Sequence, residues 1–547
     1  MENDNNQLKT KKARPKKEKT PVASAAAAAT KARQKKEKTP ASEVIENAMK
    51  KAAEVNDARG EGALELAEIK SDGLKILFAA SEAGPFIRSG GLGDVAASLP
   101  KALRKNGNDI RVVLPLYLDI DFNLRAKLRY VGSVYVPLSW RRQYCGVFEA
   151  RHEGLTYYFV DNEYYFKRSG IYGHFDDAER FAFFSKAILE IMPLIGFYPD
   201  ILHVNDWQTA LTPVFLDVFY RFGQYTAIKT VFTIHNIEFQ GKYGLDLGGD
   251  IIGVDKNALK LVEYDKCVNF MKGAIESANA VTTVSETYAK EILDPFYSYG
   301  LEGILKSRKY KLSGIVNGID VEEYNPETDK ALLKQYNFDS IDDRRENKKS
   351  LLEMLRLPYD ANRPLIGMVT RLTSQKGMDL VSRVAEDILG KDMSMVVLGK
   401  GDWKYENMLK DLESYYPNKL KAIIGFSLDV ASKIYGSADF LLMPSKFEPC
   451  GLSQMIAMRY GAVPIVREAG GLKDTVEAYN HITGKGNGFT FKSYDPYDML
   501  DAINRAFDVY YDKDEMKKVI ANAMASDFSW EESARKYENL YRGLLTR

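Results

Sequence analysis

At 547 residues, 45% hydrophobic and 28% charged, the chain is too long for one comfortable core and predicts two folded domains with tails. Residues 1–40 hold 12 Lys/Arg against 4 Asp/Glu while the whole carries a formal charge of only +1, so the remainder is mildly acidic, which excludes a nucleic-acid-coating surface there. Cys145, Cys267 and Cys450 form no C-x-x-C pair, which excludes a disulfide framework, and neither an apolar run of ~18 residues nor a signal-peptide core is present. A cytoplasmic protein is expected. The basic start leaves a plastid or mitochondrial presequence open, although Glu2, Asp4, Glu18 and Glu37 weigh against one.

The first 41 residues repeat themselves: Ala13-Arg14-Pro15-Lys16-Lys17-Glu18-Lys19-Thr20-Pro21 returns as Ala32-Arg33-Gln34-Lys35-Lys36-Glu37-Lys38-Thr39-Pro40. With almost no large apolar side chains this stretch reads as a disordered basic tail, either solubilising or able to contact a polyanion. Ser42 then opens a helical linker, broken near Gly60, that fills residues 42–73.

From Leu74 the pattern turns to strand, helix, strand. Lys75 to Ala80 is a buried-looking strand. Ser81 to Asp94 holds Gly90, Gly91 and Gly93 in a loop that opens a helix, and bare amides there suit an anion, with Arg88 adding positive charge. Further strands are predicted at 110–116, 157–160, 201–204, 229–234 and 280–284. A second series follows Asn317, at 365–370, 394–398, 421–424, 440–443, 463–466 and 488–491. This is the signature of two doubly wound α/β domains, residues 74–315 and 316–526, with a cleft between them and ligands at the carboxyl ends of the strands.

The chemistry-bearing residues lie at those ends. In the first domain one strand runs into Asn205-Asp206-Trp207 and the next into His235-Asn236, an amide, carboxylate and imidazole able to hydrogen-bond sugar hydroxyls beside an aromatic face. In the second, Arg371 and Lys376 of Thr370-Arg371-Leu372-Thr373-Ser374-Gln375-Lys376-Gly377 can hold a diphosphate. Pro444 to Gln454 joins a strand to an apolar helix, with Glu448 facing the cleft and Cys450, Gly451 and Leu452 at the helix start. Ala469-Gly470-Gly471 opens another helix. Three such loops in register predict a sugar-phosphate ligand. The triplets Asp119-Ile120-Asp121 and Asp512-Lys513-Asp514 follow no motif strand, and no metal site is expected.

From about Leu74 to the C-terminus these motifs, in this order, resemble the bacterial glycogen synthases and plant starch synthases, glucosyltransferases of the GT-B fold. The resemblance implies retaining transfer of glucose from ADP-glucose to the non-reducing 4-hydroxyl of an α-1,4-glucan, glycogen or starch, with no cofactor. It implies Asp206, His235, Arg371, Lys376 and Glu448 as catalytic residues. Arg88, Gly90, Gly91, Asn317, Tyr435, Cys450, Gly451, Leu452, Gly470 and Gly471 fall on the donor side, Tyr435 under the base, and Tyr172, Trp207 and Asn236 on the acceptor side. Residues 527–547 should form a helix crossing back to the first domain. Three departures stand out: Arg88-Ser89 replaces the usual Lys-Thr, Ala469 stands where Thr is common, and Ile456 lies where the wider fold has a second Glu. The rival readings are a glucan-binding regulatory homologue, with the basic tail as its working part, and a retaining GT-B transferase of another sugar nucleotide.

Overall fold

The structure is a computed structural model that describes residues 70 and 72–546. The basic tail and the expected helix from Ser42 to Ile69 lie outside those residues. Among the described residues no helix is long and apolar enough to cross a membrane.

The first lobe is built on a nine-stranded sheet. Its strands are β1 (Lys75–Ala79), β2 (Asp109–Pro115), β3 (Arg129–Leu138), β4 (Arg141–His152), β5 (Leu155–Asp161), β6 (Ile201–Asn205), β7 (Lys229–Ile234), β11 (Ala280–Thr283) and β12 (Leu312–Gly314), with a small antiparallel sheet of β8 (Lys242–Tyr243), β9 (Glu263–Tyr264) and β10 (Cys267–Asn269) beside it. The large sheet runs β12-β11-β7-β6-β1-β2-β5-β4-β3 and is parallel except at β5-β4-β3. The second lobe is a parallel sheet of β13 (Leu365–Val369), β14 (Ser394–Gly399), β15 (Leu420–Ile424), β16 (Phe440–Met443), β17 (Val463–Arg467) and β18 (Phe489–Phe491), in the order β15-β14-β13-β16-β17-β18.

Strand composition explains the layering. Every residue of β6 and of β14 is buried, as expected where helices cover both faces. The order reverses at β1 in the first sheet and at β13 in the second. Those are the switch points at which parallel sheets open a crevice. The glycine loop leaves β1, and the Arg371–Lys376 loop leaves β13.

All the expected strands form, but the hairpin β3–β4 was not foreseen. β3 mixes exposed Arg129, Tyr130, Ser133, Tyr135 and Pro137 with buried Val136 and Leu138, so it has no continuous apolar run. Only one face of this antiparallel edge meets the core.

The lobes are joined by two crossings that run side by side. The Ile319 amide donates to the Phe528 carbonyl at 2.8 Å, and Ser533 Oγ to the Val316 carbonyl at 2.5 Å. Gly318 permits this approach, because a Cβ there would lie 2.7 Å from the Trp530 nitrogen. The helix Trp530–Leu545 then returns to the first lobe and buries Trp530, Ala534, Tyr537, Tyr541 and Leu544 in its core, one stripe at helical spacing. Tyr541 Oη lies 2.7 Å from His203 Nδ1 in the middle of β6.

Candidate active site

At the end of β1 the glycine loop already holds a carboxylate of its own. Glu82 accepts the Ser89 amide at 2.5 Å, the Ser89 hydroxyl at 3.0 Å and the Gly90 amide at 3.3 Å. Tyr172 donates its hydroxyl to Glu82 at 3.0 Å and lies 2.7 Å from Ser81 Oγ. Burial raises the Glu82 carboxyl above its usual range despite these donors. Glu82 thus takes up the amides of Ser89 and Gly90 at the head of the loop. Arg88 is also engaged, 2.5 Å from Asp94 and 3.8 Å from Glu323 of the other lobe. Gly90 and Gly91 remain exposed, and Gly91 faces Leu452, which a Cβ would meet at 3.8 Å.

At the ends of β6 and β7, Asp206 sits in the left-handed region at φ 55° and accepts the backbone amides of His235 at 2.7 Å and Asn236 at 3.4 Å. Asp is among the few non-glycine side chains that tolerate this conformation, which turns its carboxylate back onto the strand-end amides. Burial pushes the Asp206 carboxyl up to about 7, against the pull of the two amides. His235 Nε2 lies 2.9 Å from Asn205 Oδ1, and burial holds its imidazole down at about 3, so it is neutral.

Across the cleft, Lys376 donates to Glu448 at 2.6 Å, and Ser445 Oγ donates to the same carboxylate oxygen at 2.9 Å. Two backbone approaches bring them together. The Lys446 amide donates to the Gln375 carbonyl at 2.8 Å, and Gly377, at φ 77°, leaves room that a Cβ would lose by meeting the Pro444 oxygen at 2.2 Å. Gly377→Ala is accordingly expected to lower stability by about 1–3 kcal/mol and turnover with it. Gly90→Ala, whose Cβ meets nothing within 4 Å among the described residues, should leave the thermal transition in place. Arg371 is exposed, and among the described residues its guanidinium reaches only Gln375 Oε1, at 3.2 Å. Asn317 is buried at the lobe crossing, and its Oδ1 has no partner among the described residues.

Two cations and a carboxylate thus stand at the switch point of one sheet, and a carboxylate and a neutral imidazole at strand ends beside the switch point of the other. Sequence comparison decides what this cleft belongs to. A profile described as the starch synthase catalytic domain matches residues 75–307, and one described as glycosyl transferases group 1 matches residues 355–525. The glycogen synthase of Clostridium acetobutylicum is 51% identical over 480 residues, covering 86% of this chain and 100% of the relative. The chain belongs to the glycogen synthase family. The glycogen synthase of Anoxybacillus flavithermus is 47% identical over 475 residues, covering 86% of this chain and 98% of that one. The catalytic domain of starch synthase IV from Arabidopsis thaliana, solved with ADP and acarbose, superposes with a TM-score of 0.81 at 34% identity, covering 87% of this chain and 100% of that one. The fold is GT-B.

Within this glycogen synthase family member the structure redistributes several expected roles. Tyr435 is buried in the helix Leu428–Ser437, its ring 6.3 Å from that of Tyr460, so no base can lie on it. The spacing Ala431, Ile434, Tyr435 carried that signal, since it is the buried stripe of an amphipathic helix. The open ring nearby is Phe426, 82% exposed just past β15. Trp207 is also buried, packed edge-on against Phe181 at 4.9 Å and near Tyr243 and Phe270, so it supports the site wall and offers no free face. Gly470 and Gly471 serve backbone packing, since Cβ atoms there would lie 2.0 Å from the Glu448 carbonyl oxygen and 2.1 Å from the Cys450 carbonyl oxygen. The Gly470 amide donates to Glu291 of the first lobe at 3.0 Å, and Asp474 accepts from the Thr287 amide at 2.9 Å, so this loop clasps the lobes. Cys450 is buried beside Asn317, while Gly451 needs its φ of 76° to start the next helix. Asn236 keeps its side chain partly open at the cleft, with Oδ1 accepting the Glu238 amide at 3.0 Å. Of the D-x-D residues, Asp121 and Asp512 cap helices and Asp119 accepts the Gly170 amide.

Proposed function

We propose that this protein transfers glucose from ADP-glucose to the non-reducing 4-hydroxyl of an α-1,4-glucan, with retention at the anomeric carbon. One observation carries the reading: Arg371 and the Lys376–Glu448 pair stand at the switch point of one sheet, Asp206 and His235 at strand ends beside the switch point of the other, and loops at those ends meet across the lobes, Gly91 against Leu452 and the Gly470 amide on Glu291. A diphosphate entering between the lobes draws Lys376 away from Glu448 and meets Arg371, whose guanidinium has no acidic partner among the described residues. Positive charge aimed at a leaving phosphate stabilises it as it departs. In this reading the charge comes from side chains, and no metal is needed. The adenine stacks on Phe426 at the end of β15.

Retention follows if the acceptor attacks from the face the phosphate leaves. The departing oxygen then takes the acceptor proton, and the protein's part is to place the two reactants and hold the charge. Neutral His235, Asp206 and the unpartnered Asn317 oxygen supply hydrogen bonds to the glucose hydroxyls. The likeness to a starch synthase solved with ADP and acarbose supports both halves of the site.

The decisive assay follows ADP release and glucan growth with glycogen present and a chelator added, using ADP-glucose and UDP-glucose side by side. Transfer to glycogen is expected with ADP-glucose as the faster donor. Faster turnover of UDP-glucose, or dependence on a divalent ion, would overturn the donor assignment.

A further inference from the structure

The tip of the β3–β4 hairpin carries an exposed tryptophan that packing does not explain. Because β4 runs antiparallel to β5 with Gly146 opposite Asp161, residues 141–145 continue past the carboxyl end of β5. That puts Ser139 and Trp140 on the side of the sheet where the glycine loop and Asp206 lie. Trp140 is 74% exposed, so it buries little.

It is nevertheless held firmly. Its Nε1–H donates to Asp250 at 2.8 Å, and the Arg141 guanidinium lies 4.4 Å from its ring centroid. That guanidinium is fixed in turn by the Asp250 carboxylate at 2.9 Å, the Asp250 carbonyl at 2.6 Å and Glu179 at 3.4 Å. Below it, Ser139 at φ 53° donates Oγ–H to the Gly249 carbonyl at 2.7 Å, and a Cβ on Gly253 would lie 3.0 Å from the Ser139 Cα. The clamp continues to the acceptor loop. Glu179 accepts the Tyr165 hydroxyl at 2.5 Å, and Asp177 of the same helix, Asp177–Glu190, accepts the Gly173 amide at 2.8 Å, next to Tyr172.

A ring with its polar edge satisfied, one face covered by a cation and the other open is preorganised for stacking. The open face suits the C–H face of a pyranose. We propose that Trp140 is a sugar platform for the glucan acceptor, remote from the reacting end, reached by chains that extend beyond the Tyr172 loop. This rests on the glucan-transfer reading above.

The test compares a short maltooligosaccharide with glycogen as acceptor. Trp140→Ala is expected to raise KM for glycogen about fivefold or more while kcat and the short-acceptor KM stay within twofold. Trp140→Phe, which keeps a ring, should recover most of the glycogen KM. An unchanged glycogen KM in Trp140→Ala would overturn the platform, as would equal losses on both acceptors with a lowered Tm, or equal losses in the alanine and phenylalanine variants. A wild-type protein that extends neither acceptor would instead overturn the transfer reading itself.

Discussion

Lys376→Ala is expected to lower turnover roughly a hundred- to thousand-fold, the cost of losing one preorganised donor aimed at developing charge. Glu448→Ala should fall as far. The difficulty is that a half-buried Lys376 and a buried Glu448 are partners, so either change also leaves a charge behind. Lys376 lies 2.6 Å from Glu448, with side-chain exposures of 15% and 7%. Removing one member of such a pair destabilises by itself. The double variant Lys376→Ala/Glu448→Ala separates the effects, because it removes the orphaned charge as well. If the pair only holds the Gln375 and Lys446 backbones together, the double variant regains both stability and turnover. If Lys376 holds the leaving diphosphate, stability returns and turnover does not. Steady-state ADP release alongside thermal denaturation reads both, and a double variant with recovered turnover would remove Lys376 from the chemistry.

Strand positions were legible because most of this sheet is buried on both faces, and a run such as Ile201-Leu202-His203-Val204 needs no partner to be recognised. The same property let the strand-end motifs be placed in one cleft. The hairpin β3–β4 was hidden, since one solvated face breaks its apolar run. At the site, sequence marked which loops matter and missed how their charges pair. Nothing local says that Glu82 turns back to fill the loop at Ser89 and Gly90, or that Arg88 chooses Asp94. Those pairings depend on the relative height of neighbouring loops. Tyr435 is a different case: the spacing Ala431, Ile434, Tyr435 marks the buried face of a helix, and only the resemblance points it at a base.

Acid is expected to unfold this protein through its histidines. Burial holds His203 and His235 down at about 3, against about 6.5 in an unfolded chain, and His235 further disfavours the charging of His203. The folded state therefore binds fewer protons than the unfolded one from pH 6.5 downward, so stability is full above 6.5 and is lost as pH falls toward 3. Asp206 opposes this. With its carboxyl raised to about 7, the folded state binds an extra proton between about 4 and 7, and stability rises as pH falls through that window. Burial also raises the carboxyls of Glu82, Asp94, Asp161, Asp217, Glu291 and Glu323, which act in the direction of Asp206, so the loss from the two histidines emerges at the acid end of the window, where the carboxyl contributions are spent. His203 decides where the structure gives way. It lies 2.7 Å from Tyr541 on the returning helix and 2.6 Å from Thr233 on β7, so protonating it sets a buried charge at the seam between helix and sheet. Urea unfolding midpoints from pH 7.5 to 3.5 should show a smaller acid loss in His203→Gln, which removes one titrating group, and a larger one in Asp206→Asn, which removes the opposing one. Curves that run parallel in all three proteins would mean that acid acts elsewhere, among the surface ion pairs.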